Sequence, residues 1–152
     1  MQNHITIRGA KPMDAERLIE FNLRMAQETE DKQLDSKILI SGVNAILSHP
    51  KLGFYLVGEA DGEVVGSLMV TTEWSDWRNG AFWWIQSVYV TPEFRRRGVF
   101  RALYEDARDR AKNEEGVCGC RLYVERDNVS ALTVYTRLGL KETNYKMLEE
   151  LF

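Results

Sequence analysis

The chain is poor in the side chains that build disulfide frameworks and metal sites. It has 2 cysteines and 2 histidines in 152 residues. Two cysteines are too few for a stapled scaffold, and a zinc site needs more ligands. Cys118 and Cys120 sit together in "GVCGCRLYV", two apart on a strand and so on one face. They read as reduced structural cysteines of a cytosolic protein. His4 and His49 stand alone, far apart in the chain. No metal is expected. No apolar run is long enough to cross a bilayer, so no membrane partner is expected. The opening "MQNHITIRGAKP" lacks the basic segment and apolar core of a signal peptide, which sets the expectation of a cytoplasmic protein. Positive charge is not in excess. The net charge is −3, which argues against a general nucleic-acid binder.

What is present is a core-forming chain. It is 44% hydrophobic and 28% charged, values of a globular protein. Its length fits one domain over residues 1–152. "HITIRGA" alternates as a first strand. "KPMDAERLIEFNLRMAQETE" reads as a helix with Pro12 and Asp14 as start signals. "DKQLDSKILISGVNAILSHP" is a weaker helix that must stop before Pro50. "GFYLVGEADGEVVGSLMVTTEW" gives two strands turning at Asp61-Gly62. "AFWWIQSVYV" is a long strand, followed by a helix over "GVFRALYEDARDRA". "GCRLYVER" reads as an apolar strand covered on both faces. "NVSALTVYTRLG" is a short helix capped by Gly139, and "NYKMLEELF" reads as a closing strand. The order β-α-α-β-β-β-α-β-α-β predicts a three-layer α/β domain with a mixed sheet.

One stretch conflicts with simple electrostatics. Arg95, Arg96, Arg97 and Gly98 stand where a helix begins. The dipole disfavours cations there by about 0.3–1 kcal/mol each. An anion would reverse the conflict. Free amides at a helix start face outward, glycine allows close approach, and arginines add charge-assisted hydrogen bonds. A solvated basic turn is the plain alternative.

Two motifs narrow the reading. "SVYVTPEFRRRGVFRALYEDA" is followed, after a strand, by "ERDNVSALTVYTRLGL". Together they resemble the GCN5-related N-acetyltransferase (GNAT) superfamily. Its acyl-CoA loop, Gln/Arg-x-x-Gly-x-Gly/Ala, is matched at Arg95 and Gly98 and departs at Phe100. Its later signature is met by Asn128, Ala131, Tyr135 and Leu138-Gly139-Leu140.

The resemblance implies a GNAT-like fold in which two parallel strands of the mixed sheet splay apart around acetyl-CoA, the cosubstrate. Carried over, Val88, Tyr89 and Val90 would pair with the pantetheine arm through their backbone. The turn Arg95, Arg96, Arg97, Gly98, Val99, Phe100 and Arg101 would cradle the pyrophosphate. Asn128 would reach the cofactor, and an N–H near Val88 would polarise the thioester carbonyl. Tyr135 would be the general acid, against the alternative of a core tyrosine on its helix stripe.

The segment "TTEWSDWRNGAFWWIQSVYV" is also similar to spermidine/spermine-type diamine acetyltransferases. That similarity puts Gln86 where relatives place a glutamate base. Glutamine takes no proton at neutral pH. Water-mediated deprotonation ranks first, with Glu73 or Glu125 as substitutes. Trp74, Trp77, Trp83 and Trp84 cluster with Glu73 and Asp76. Some must pack in the interior, and the rest would form an aromatic and acidic wall for a cationic amine. Glu28, Glu30 and Asp31 would close the same side. The acceptor read first is a small-molecule amine, then a peptide or protein amine, then an aminoglycoside-like compound. A non-catalytic acyl-CoA binder and a phosphate- or RNA-binding module are the competing classes. The family's habits leave a homodimer open.

Overall fold

The computed structural model describes residues 4–152. Among these described residues five strands form one sheet in the order β1-β2-β3-β4-β5, namely β1 Thr6–Gly9, β2 Phe54–Ala60, β3 Glu63–Ser75, β4 Gly80–Val90 and β5 Val117–Leu122. The first four pair antiparallel, and β4 pairs with β5 in parallel. Among the same residues four α-helices flank the sheet: α1 Ala15–Glu30, α2 Ser36–Ser48, α3 Val99–Asn113 and α4 Val129–Arg137. Among the described residues no helix is long and apolar enough to cross a membrane.

Local chemistry sets the boundaries. Pro12 opens a single 3-10 turn ahead of α1. The buried Asp14 carboxylate accepts from the Lys11 amide at 2.7 Å and from Arg8 at 2.8 Å. Asp35 caps α2 by accepting from the Lys37 and Ile38 amides, and α2 stops two residues short of Pro50. Asp61 and Gly62, at φ 53° and 82°, make the tight β2–β3 turn. At the end of α4, Gly139 takes φ 98°. Its N–H bonds the Thr136 carbonyl, and the Leu140 N–H bonds the Tyr135 carbonyl, closing a Schellman cap.

Each face of the sheet has its own core. Leu18, Val43, Tyr55 and Val57 pack under α1 and α2. Leu56, Leu68, Val70, Trp83, Ile85, Leu103 and Ala107 pack under α3. Leu103 is completely buried there. Leu103→Ala should cost ~2–5 kcal/mol of stability, measured by denaturant unfolding.

The sequence reading needs two corrections. The segment "NYKMLEELF" forms no strand and is exposed throughout. A strand needs a partner for its backbone, and among the described residues no strand pairs with this stretch. The strand β5 is not covered on both faces. It is one edge of the sheet, opposite β1, and none of its residues is fully buried.

Candidate active site

The site is built where β4 outruns its parallel neighbour. The β4–β5 ladder runs from Ala81 beside Val117 to Ile85 beside Leu122 and stops. β4 continues to Val90. From Gln86 onward its edge on that side is open, which is the splay expected from the resemblance.

A bulge lies at the same point. Met69 pairs with Gln86 and Ser67 with Tyr89, so Ser87 and Val88 together oppose Leu68. Ser87 has φ 49°, a left-handed conformation unusual for a residue with a side chain. The bulge resets the alternation of faces. Trp83 and Ile85 join the core under α3, and past the bulge Val88 and Val90 pack there too. Tyr89 turns to α1, with its ring 5.0 Å from that of Phe21. No local pattern announced the bulge; Ser87 is the second of two polar residues, after Gln86, in an otherwise apolar and aromatic strand.

Beyond β4 the chain makes the arginine turn. Arg96 has φ 63° and Gly98 φ 84°. The first bond of α3 runs from the Ala102 amide to the Gly98 carbonyl at 2.9 Å. Among the described residues the amides of Arg96 to Arg101 find no acceptor. The turn is therefore a row of free donors at the positive end of a helix, the arrangement that suits a phosphate.

The arginines divide their work. The Arg95 guanidinium donates to the Val90 carbonyl at 2.9 Å and to Glu28 at 2.6 Å, over the Tyr89 ring. Arg97 stacks over Phe94, and Arg101 pairs with Glu105. Glu28 also accepts from the Tyr89 hydroxyl at 2.9 Å. Its hydrogen bond from Arg95 holds the carboxyl below the usual glutamate range. Burial, then Glu28, pushes the Tyr89 phenol up. Glu28, expected on the acceptor wall, thus stands with Tyr89 and Arg95 of the cofactor group.

Tyr135 and Phe100 meet. Their rings lie 5.5 Å apart, edge to face, and Phe100 also lies 6.2 Å from the Tyr104 ring. The residue that departs from the loop motif is the one that packs on Tyr135. Burial pushes the Tyr135 phenol above its ordinary range, so it keeps its proton at neutral pH. The side chain of Asn128 caps α4, accepting from the Ala131 amide at 3.2 Å. Its visible role is to start the helix that carries Tyr135.

Another cluster lies further back on β4. Glu73 accepts from the Trp84 indole at 2.9 Å and from Arg121 at 2.6 Å. Trp84 lies 4.5 Å from the Tyr123 ring, and Arg121 lies 3.6 Å over the Phe82 ring. Sequence reasoning missed Arg121 and Tyr123. The Gln86 amide donates to the Thr71 hydroxyl at 2.6 Å. Of the four tryptophans, Trp83 is buried, Trp84 is half-buried, and Trp74 and Trp77 are 65% and 87% exposed. Cys118 is exposed and Cys120 half-buried, with the Cys120 thiol pushed up by burial.

The sequence pattern of the Acetyltransferase (GNAT) family matches residues 16–140. The chain belongs to this family. It is an N-acetyltransferase of the GNAT type. A possible acetyltransferase from Clostridium difficile 630 is 42% identical, with 97% of each chain covered and a TM-score of 0.91. A transcriptional regulator from Bacillus halodurans C-125 shares the fold at 22% identity, over 98% of this GNAT chain and 100% of that one, with a TM-score of 0.82. AAC(6')-Iy, solved with the bisubstrate analog CoA-S-monomethyl-acetylneamine, shares it at 18% identity, 98% and 99% coverage and a TM-score of 0.78. No curated protein sequence matches the GNAT chain.

Proposed function

We propose that this GNAT protein moves the acetyl group of acetyl-CoA to a primary amine of a small molecule, with Tyr135 as general acid. One observation carries the reading. The open edge of β4 leads, through the short turn Pro92–Phe94, to a turn of unpaired amides, and a protonated phenol packs against the first turn of α3. The edge offers backbone groups to an extended amide-bearing arm, as a sheet edge does to a peptide. The amides from Arg96 to Arg101 offer donors to a pyrophosphate. These features fit acetyl-CoA, which would supply an activated acetyl group as a thioester.

The protein's own groups then have three tasks. The backbone near Val88, turned by the bulge, would donate to the developing oxyanion. Tyr135 would hold a proton at Oη for the departing thiolate. A base must take the amine's proton, because an alkylammonium has a pKa near ~10.4. Of the two carboxylates named above as substitute bases, Glu73 and Glu125, only Glu125 carries no side-chain partner among the described residues, and it is exposed. Glu28 is held ionised by Arg95, Glu73 bridges Trp84 and Arg121, and Gln86 is tied to Thr71. Water is the favoured carrier. The acceptor would lie against Trp84, Glu73 and the exposed Trp74, where aromatic faces and a carboxylate suit a cation.

The glutamine at position 86, tied to Thr71, supports a second reading, a non-catalytic acyl-CoA binder. A panel of polyamines, amino acids, peptides and aminoglycosides, followed by release of free thiol, separates the two. Turnover with a small amine is expected. Tight binding of acetyl-CoA with no turnover on any amine would establish the binder. Turnover on peptides alone would move the acceptor to protein amines.

A further inference from the structure

The wall beside the β4–β5 fork is aromatic, and its charge is already balanced. Trp84 stands beside Arg121 in the parallel ladder, and Tyr123 follows Leu122, the last paired residue of β5. The Trp84 and Tyr123 rings lie 4.5 Å apart, tilted 31° from parallel. Tyr123 is 54% exposed, so the pair keeps ring surface in solvent where the two strands part.

Both oxygens of Glu73 are occupied. Oε1 accepts from Arg121 at 2.6 Å and Oε2 from the Trp84 indole at 2.9 Å. Arg121 is fixed from a second side by the Phe82 ring, which lies 3.6 Å beneath its guanidinium. Glu28 on α1 is in the same state, with Oε1 accepting from the Tyr89 hydroxyl and Oε2 from Arg95. Among the described residues these are the two carboxylates hydrogen-bonded to β4 side chains, and each comes with its own arginine. An acceptor with several ammonium groups needs an unpaired carboxylate for each one it desolvates. Glu30, Asp31 and Glu125 are open to solvent, where an ion pair contributes little.

We propose that the acceptor is a monoamine carried on a flat apolar body that stacks on Tyr123 and Trp84, and that Arg121 sets this preference by neutralising Glu73 against polyamines. This rests on the acetyl transfer proposed above and narrows its acceptor. Ring faces attract a single ammonium without accepting its proton. A cation held this way gives up its proton more readily than one paired with a carboxylate, which suits a site with glutamine at position 86.

The test compares phenethylamine, hexylamine and hexamethylenediamine as acceptors. The parent protein should favour phenethylamine over the diamine by ~10-fold or more in kcat/KM. Tyr123→Ala should raise the KM for phenethylamine by ~3–10-fold, and Tyr123→Phe, which keeps the ring, far less. Arg121→Gln leaves Glu73 without its cation. It should lower the KM for the diamine by ~3–10-fold at low ionic strength, an effect that fades as salt is raised. A parent protein that acetylates the diamine as well as phenethylamine would overturn the assignment while leaving acetyl transfer in place. So would Tyr123→Ala or Arg121→Gln proteins with the parent's preferences. If Arg121→Gln fails to fold, Tyr123→Ala decides. If no amine is acetylated, acetyl transfer itself is lost, and calorimetric titration of the same amines into the coenzyme A complex decides the acceptor class. Phenethylamine should then bind more tightly than the diamine, and equal, reversed or undetectable binding overturns the proposal.

Discussion

Tyr135→Phe is expected to slow acetyl transfer by ~10²–10⁴-fold, the range for removal of a general acid. The substitution deletes one oxygen and keeps the ring. The contact with Phe100 depends on the ring, so the packing at the start of α3 survives. The Schellman cap uses the Tyr135 carbonyl, which the change leaves in place. Binding of acetyl-CoA should be little altered, because its proposed contacts are backbone groups of β4 and the arginine turn. The loss should therefore fall on kcat, with thermal unfolding near that of the parent protein. Turnover at the parent rate would leave Tyr135 as a packing residue and remove the general acid from the scheme.

Gly98→Glu is expected to abolish stabilisation by coenzyme A. A ligand present at 100 times its Kd stabilises by ~2.7 kcal/mol. At about 2–4 °C per kcal/mol for a domain of this size, the parent protein should gain ~5–10 °C in Tm. Gly98 has φ 84°, and nothing lies within 4 Å of the position a Cβ would take. A side chain there meets backbone strain of ~1–2 kcal/mol and no clash. The new carboxylate suits the helix dipole and opposes only an incoming anion. Gly98→Ala carries the same strain without the charge and should keep part of the shift. A Gly98→Glu protein stabilised by coenzyme A as fully as the parent would move the pyrophosphate elsewhere.

The fold was legible wherever local chemistry decides it. Asp61-Gly62, Pro12, Pro50 and Gly139 each mark a boundary that the structure keeps within a few residues. The parallel β4–β5 pair and its separation followed from the resemblance, and the ladder ends at Leu122. Contacts between distant residues were not legible. The pairing of Glu28 with Arg95 joins residues far apart in the chain, and no local pattern announces it. The Phe100–Tyr135 contact depends on how α3 and α4 approach. The closing strand was misread because a strand's pattern says nothing of whether a partner is within reach.

The serine bulge has a consequence for how this enzyme can vary. Because one residue is absorbed at Ser87, the inward and outward phase of β4 before it is independent of the phase after it. Substitutions around Trp84 and Gln86 can remodel one wall without rotating Val88, Tyr89 and Val90 off theirs. On the proposed assignment, the strand has two stretches whose phases are set separately, so acceptor preference would be able to drift while the acyl-donor side keeps its register.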